Sequence, residues 1–63
     1  MNDEIQKVLG ALKEERTIDE VASKTGLPRT TTLDVMLFLA GRGKIEMSDG
    51  QRGKWIIKHG AGE

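Results

Sequence analysis

The chain has 63 residues, no cysteine, and ten basic residues balanced by ten acidic ones, so its formal net charge at pH 7 is zero. This length fits one small domain, and the lack of cysteine excludes disulfide bonds and thiolate metal sites. A zero net charge argues against strong nonspecific attraction to phosphate. No apolar run approaches the roughly 18 residues of a membrane span. The first residues lack the apolar core of a signal peptide, so we expect a cytoplasmic protein with no membrane partner.

The first predicted element is an amphipathic helix within residues 2 to 15. Apolar residues fall at the i, i+3, i+4 and i+7 positions of one helical face, namely Ile5, Val8, Leu9 and Leu12. Gly10 costs this helix about 1 kcal/mol relative to alanine, so we expect a close contact with another element there. Residues 16 to 18 are predicted to form a very short strand before the next helix.

A second helix is predicted from a start signal and a stop signal. Thr17 and Glu20 have the spacing of a capping box, in which each side chain bonds the other residue's backbone amide. Gly26 supplies the left-handed residue that ends the helix, and Leu27 is expected to pack under the following turn.

The third helix is predicted to run from Pro28 to about Ala40. Pro28 cannot continue a helix but readily begins one. Gly41 and Gly43 are predicted to end this helix. Its core-facing stripe is predicted from one-turn spacing to consist of Thr32, Val35, Met36 and Leu39.

After Gly43 the apolar pattern changes to the alternation of a β-hairpin. Residues 44 to 48 and 54 to 58 are the two predicted strands, and the glycine-rich residues 49 to 53 are the turn. We expect one face of the hairpin to pack on the helices through Ile45, Met47, Trp55 and Ile57. Residues 59 to 63 are predicted to form a disordered tail.

The two joined helices resemble the helix-turn-helix of small winged-helix DNA-binding domains. The residues that carry this resemblance are Ala22, Gly26, Leu27, Leu39 and Gly43, with an isoleucine, Ile45, two residues after Gly43. Thr32 stands where such motifs usually place Val or Ile. The resemblance implies a single winged helix-turn-helix domain over residues 1 to 58, mainly α with a β-hairpin wing, with three helices and two or three short strands.

Two winged-helix families are similar to this chain over most of its length. The sequence from LPRTTTLDVMLFLAGR to GKIEMSDGQRGKWIIK resembles Zalpha domains, which bind left-handed DNA, in the basic residue after Pro28 and in Trp55 on the last strand. Leu33 and Leu37 replace the Asn and Tyr by which Zalpha domains contact DNA. The chain is also similar to the ferrous-iron transport C family, but it lacks the cysteine-rich wing of that family.

The winged-helix resemblance implies that the third helix enters the major groove of double-stranded DNA, with the wing on the flanking backbone or minor groove. The implied DNA-binding residues are Arg29, Thr30, Thr31, Leu33, Lys44, Gln51, Arg52 and Lys54. Residues 28 to 63 carry six basic and four acidic residues, whereas residues 1 to 27 carry four and six. We therefore expect a small transcriptional regulator or nucleoid-associated protein that acts as a homodimer.

The apolar residues of the third helix leave other interpretations open. Leu33, Leu37 and Phe38 are additional to the core-facing stripe, and Asp34 would repel phosphate. These three apolar side chains could form a homodimer or protein-partner surface, or Leu33 and Leu37 could complete the core. Binding of RNA or single-stranded nucleic acid is a further alternative, with Phe38 and Trp55 as stacking residues.

The sequence does not favour an enzyme. The one histidine, His59, lies in the predicted tail, and neither Ser23 nor Ser48 has a histidine near it in the sequence. We expect no catalytic residues, no cofactor and no bound metal.

Overall fold

The computed structural model of the protein describes residues 2–48 and 53–58. The elements within these ranges are α1 (Asn2–Ala11), β1 (Arg16–Thr17), α2 (Ile18–Thr25), α3 (Arg29–Gly41), β2 (Ile45–Met47) and β3 (Lys54–Ile57). The strands form an antiparallel sheet in the order β1, β3, β2. The prediction of a mainly helical domain with a small antiparallel sheet is confirmed for the described residues. The predicted turn at Asp49 and Gly50 and the predicted tail lie outside them.

Helix α1 is shorter than the segment of residues 2 to 15 in which it was predicted. It ends at Ala11, whose carbonyl oxygen accepts a hydrogen bond from Nε of Arg16 at 2.7 Å. The carbonyl of Leu12 accepts from the backbone amide of Ile57 in β3 at 3.0 Å. These two carbonyls are therefore bound by groups outside the helix, and the chain turns toward the sheet.

Helix α2 has the predicted signals at both ends. The amide of Thr17 donates to Oε1 of Glu20 at 2.8 Å, and the amide of Glu20 donates to Oγ1 of Thr17 at 3.1 Å. Gly26 has φ +77° and its amide donates to the carbonyl of Ala22 at 2.9 Å. The capping box and the left-handed C-terminal glycine are both confirmed.

Helix α3 is attached to the rest of the domain by its predicted stripe. Its four buried residues are Thr32, Val35, Met36 and Leu39. The hydroxyl of Thr32 donates to the carbonyl of Pro28 at 2.9 Å, so the buried polar group is satisfied within the helix. At the other end Gly43 has φ +74°, and the Gly43 and Lys44 amides donate to the carbonyls of Ala40 and Leu39, the pattern of a Schellman cap.

The core joins all three helices to the start of the sheet. Its buried members are Val8, Ala11, Leu12, Val21, Val35, Met36, Leu39 and Ile45. Trp55 and Ile57 pack against this cluster as predicted. The expectation that Met47 also faces the helices is wrong, because Met47 is 56% exposed. Ile45 is the first residue of β2, four residues after the end of α3, whereas Met47 lies two residues farther along β2 and is not part of the core cluster.

No helix among the described residues is long and apolar enough to cross a membrane.

Ser48, which follows β2, is buried, and its hydroxyl donates to Oε2 of Glu15. This contact links the end of β2 to the segment that precedes β1.

The expectation of a close contact at Gly10 is wrong, and the open space there leads to a prediction about stability. A Cβ built on Gly10 meets no atom within 4 Å, and its φ is not in the left-handed region. We expect Gly10→Ala to raise the free energy of unfolding by about 0.5–1 kcal/mol through higher helix propensity. Urea denaturation followed by circular dichroism measures this.

Gly26→Ala is the matched control. A Cβ at Gly26 also meets no atom within 4 Å, but its φ is +77°. We expect this variant to lose roughly 1–2 kcal/mol, the cost of a left-handed alanine. A loss of stability in Gly10→Ala would contradict the open environment described for that position.

Candidate nucleic-acid interface

The buried stripe of α3 determines which of its side chains point away from the domain. Residues at i, i+3, i+4 and i+7 on the opposite side share one face. We call this set the outward face of α3, and its members are Thr30, Leu33, Asp34 and Leu37. Thr30 and Asp34 are exposed, Leu33 is half-buried, and Leu37 is 60% exposed. The interpretation in which Leu37 completes the core is therefore wrong.

Arg29, the first residue of α3, is exposed and paired with α2. Its Nε donates to Oδ1 of Asp19 at 2.6 Å, and the two side chains are 62% and 75% exposed. An ion pair this exposed contributes at most about 1 kcal/mol to stability. Its main consequence is that it positions the Arg29 side chain. Because the bond uses Nε, the two terminal guanidinium nitrogens, with four N–H groups, remain available for another acceptor.

Lys54, a predicted wing residue, lies in β3 beside the start of α2. It is half-buried, and its Cα is paired with that of Thr17. The pKa of Glu20 is lowered from its usual 4.5, first by the hydrogen bond from the Thr17 amide and further by the positive charge of Lys54, with burial acting in the opposite direction. The charge of Lys54 is thus partly balanced by a carboxylate of the domain.

Lys44 lies at the other end of the β2–β3 pair. It is exposed, and its carbonyl accepts from the amide of Lys58 at 2.9 Å. The amide of Ser48 donates to the carbonyl of Lys54 at 2.8 Å. The four residue-to-residue steps from Lys44 to Ser48 correspond to about 13 Å of extended strand, so Lys44 and Lys54 do not form one basic patch.

The predicted site residues therefore fall into separate groups. Arg29 and Thr30 are exposed together on the first turn of α3, and Thr31 beside them is half-buried. Gln51 and Arg52, the predicted tip of the wing, lie outside the described residues. The first two turns of α3, which include Leu33, are where the described candidates are concentrated.

Sequence reasoning missed the contact that α2 makes with Arg29 of α3. The bond between Glu20 and the Thr17 amide was predicted as part of the capping box, but no partner was predicted for Asp19. In the structure Asp19 bonds Arg29 of α3, while Glu20 bonds the Thr17 amide. The sequence contains only a weak signal for the pair of Asp19 and Arg29, namely opposite charges in the first turns of two consecutive helices.

Phe38, on the last turns of α3, contacts Arg42, the residue that follows this helix. The guanidinium carbon of Arg42 lies 5.5 Å from the centre of the Phe38 ring, within the range of a cation–π contact. Phe38 is still 45% exposed. The C-terminal end of α3 thus combines an exposed aromatic ring with a cation.

No protein-family model, curated protein or solved structure matches the chain. Within residues 2–48 and 53–58, no group of three or more histidine or acidic side chains is placed to hold a metal ion. Function is therefore inferred from the chemistry of α3 and the residues around it.

The lowered pKa of Glu20 predicts a specific acid sensitivity. A carboxyl whose pKa is lower in the folded state contributes stability above its unfolded pKa and loses it as the pH falls through the folded value. Because glutamine keeps the side-chain acceptor but not the charge, we expect Glu20→Gln to be less stable than the natural protein at neutral pH. We expect this difference to shrink as the pH falls below about 4.5 and to vanish in strong acid. Thermal unfolding from pH 7 to 2.5 measures it, and a difference independent of pH would contradict the electrostatic origin.

Proposed function

We propose that the protein is a winged-helix DNA-binding domain, a small transcriptional regulator or nucleoid-associated protein that uses α3 in the major groove. The arrangement of three helices, with β2 and β3 following α3, is compatible with this fold. The observation that carries the proposal is the open first turn of α3, where Arg29 is 62% exposed and Thr30 is exposed. A groove-binding helix needs this combination of one anchored face and one accessible N-terminal half.

The contact between Asp19 and Arg29 supports a specific role for the arginine. Its Nε is held by the carboxylate at 2.6 Å, which restricts a long and flexible side chain. The terminal nitrogens form the fork that pairs with O6 and N7 of guanine or with a phosphate. Restricting the side chain before binding reduces the entropy lost on complex formation.

The electrostatics favour base recognition over nonspecific binding. Arg29 and Lys54 both lie near carboxylates of α2, and Asp34 is exposed on the outward face of α3. The net charge is zero. Nonspecific affinity depends on neutralised phosphates, so we propose that direct contacts with base edges provide most of the binding free energy.

Selection from a pool of randomised duplexes at about 50 mM salt tests this proposal, because electrostatic attraction is strongest at low salt. We expect enrichment of a defined motif. We expect Arg29→Ala to weaken binding to that motif by roughly ten-fold or more, as loss of a bidentate contact does. Fluorescence anisotropy with the enriched duplex measures the loss.

Arg42→Ala is the matched control, because it removes the same charge from the opposite end of α3. We expect little change in affinity from it and little change in stability from Arg29→Ala. Failure to enrich any motif, or equal losses in the two variants, would overturn the proposed use of the first turn.

A second candidate function is association with another copy of the chain through α3. The observation that favours it is the exposure of Leu37 and Phe38, at 60% and 45%. Large apolar side chains exposed side by side are typical of protein interaction sites. In this case Leu37→Glu would convert a dimer to a folded monomer.

Sedimentation velocity and circular dichroism of natural and Leu37→Glu protein test this candidate. Met47→Glu is the control, because Met47 is exposed to a similar extent, 56%, but lies on β2. A dimer that dissociates only with Leu37→Glu supports the candidate. A natural protein that stays monomeric at high concentration, or a dimer that both variants leave intact, contradicts it.

A further inference from the structure

The outward face of α3 has an unusual chemistry for a helix proposed to enter a DNA groove. Of its four side chains, Leu33 and Leu37 are wholly apolar, Thr30 carries a methyl group beside its hydroxyl, and the fourth is the carboxylate of Asp34. No basic residue belongs to the face, because Arg29 precedes it and is held by Asp19. A face of this kind cannot gain much from phosphate oxygens.

The major groove offers one apolar group, the C5 methyl group of thymine. Among the base edges, the amino group of cytosine is the usual donor to an aspartate, and guanine is the usual partner of arginine. From this match, and resting on the proposed function, we propose that the outward face of α3 recognises pyrimidine C5 methyl groups through Leu33 and Leu37.

The exposure of the two leucines supports this assignment. Leu37 is 60% exposed and Leu33 is half-buried, so apolar surface on both remains available for contact with a ligand. They lie one turn apart on the same side of α3, a helix of 13 residues. The rise of a helical turn is about 5.4 Å, so both side chains can meet methyl groups along one stretch of groove.

Asp34 gives this recognition its selectivity. It is exposed on the same face, one residue after Leu33 and about one turn before Leu37. A carboxylate beside a phosphate or a guanine O6 is repelled, whereas a cytosine amino group can donate to it. The same methyl chemistry is also present in 5-methylcytosine, which carries both the methyl group and the amino donor.

The test replaces thymine by uracil, which lacks only the C5 methyl group, at each position of the enriched duplex. We expect about a four-fold loss of affinity for each contacted methyl group, the value for one buried methyl-sized group. A parallel selection from a pool with methylated cytosines distinguishes the two sources of the methyl group. Enrichment there alone would assign the contact to 5-methylcytosine.

The Leu37→Ala variant tests whether Leu37 is the residue responsible for the preference for thymine over uracil. At the position where uracil weakens the natural protein, we expect this variant to bind thymine and uracil duplexes equally well. Leu33→Ala provides the same test at the neighbouring position, and Met47→Ala is the control that keeps the full preference. A role for Leu37 in folding alone would not change the thymine preference.

The results of these experiments distinguish a failure of methyl recognition from a failure of DNA binding, the function on which it rests. A motif that binds tightly but is insensitive to every uracil and 5-methylcytosine replacement overturns methyl recognition and leaves DNA binding in place. A methyl preference that persists in both leucine variants also overturns it. If neither pool yields a motif, the proposed function itself fails, and methyl recognition fails with it.

Discussion

The burial of one stripe of α3 is the constraint on which the rest of the structure depends. Val35, Met36 and Leu39 pack with α1 and α2 in a core that also includes Ile45 of β2. Each such side chain contributes about 1.5–3 kcal/mol when fully buried, a large part of the stability of a small domain. Because this burial fixes the rotation of α3, it also decides that Leu37 points outward. The core therefore selects the candidate binding surface without taking part in it.

The first turn of α2 combines a structural task with an electrostatic one. Acidic residues there interact favourably with the N-terminal end of the helix dipole, and Glu20 also completes the capping box. The same turn places Asp19 against Arg29 and Glu20 near Lys54. What stabilises α2 therefore lowers the positive potential near the start of α3. DNA binding by this domain, as proposed, would therefore depend on the chemistry of base edges more than on charge.

Local signals in the sequence predicted most of the fold. The capping box at Thr17, the left-handed Gly26 and the stripe that contains Thr32 are determined by neighbouring residues, and all were confirmed. The end of α1 was not predictable, because it depends on bonds from Arg16 and from β3, which are remote from the helix pattern. The exposure of Met47 likewise depends on how far the core extends beneath the sheet. At the candidate site, exposure of the first turn of α3 followed from the pattern, but its pairing with α2 is a tertiary contact that the sequence did not reveal.

The two candidate functions use the same helix and place different demands on Asp34. In an apolar interface between two copies, its carboxylate would lose hydration and would need a donor from the partner. In the proposed complex with the major groove, a cytosine amino group would provide that donor, while Leu33 and Leu37 on the same face would contact methyl groups. A face that combines two leucines with one carboxylate fits the mixed surface of base edges better than a uniformly apolar partner. The presence of Asp34 in the exposed face is thus the feature that favours the proposed DNA partner over a second copy of the chain.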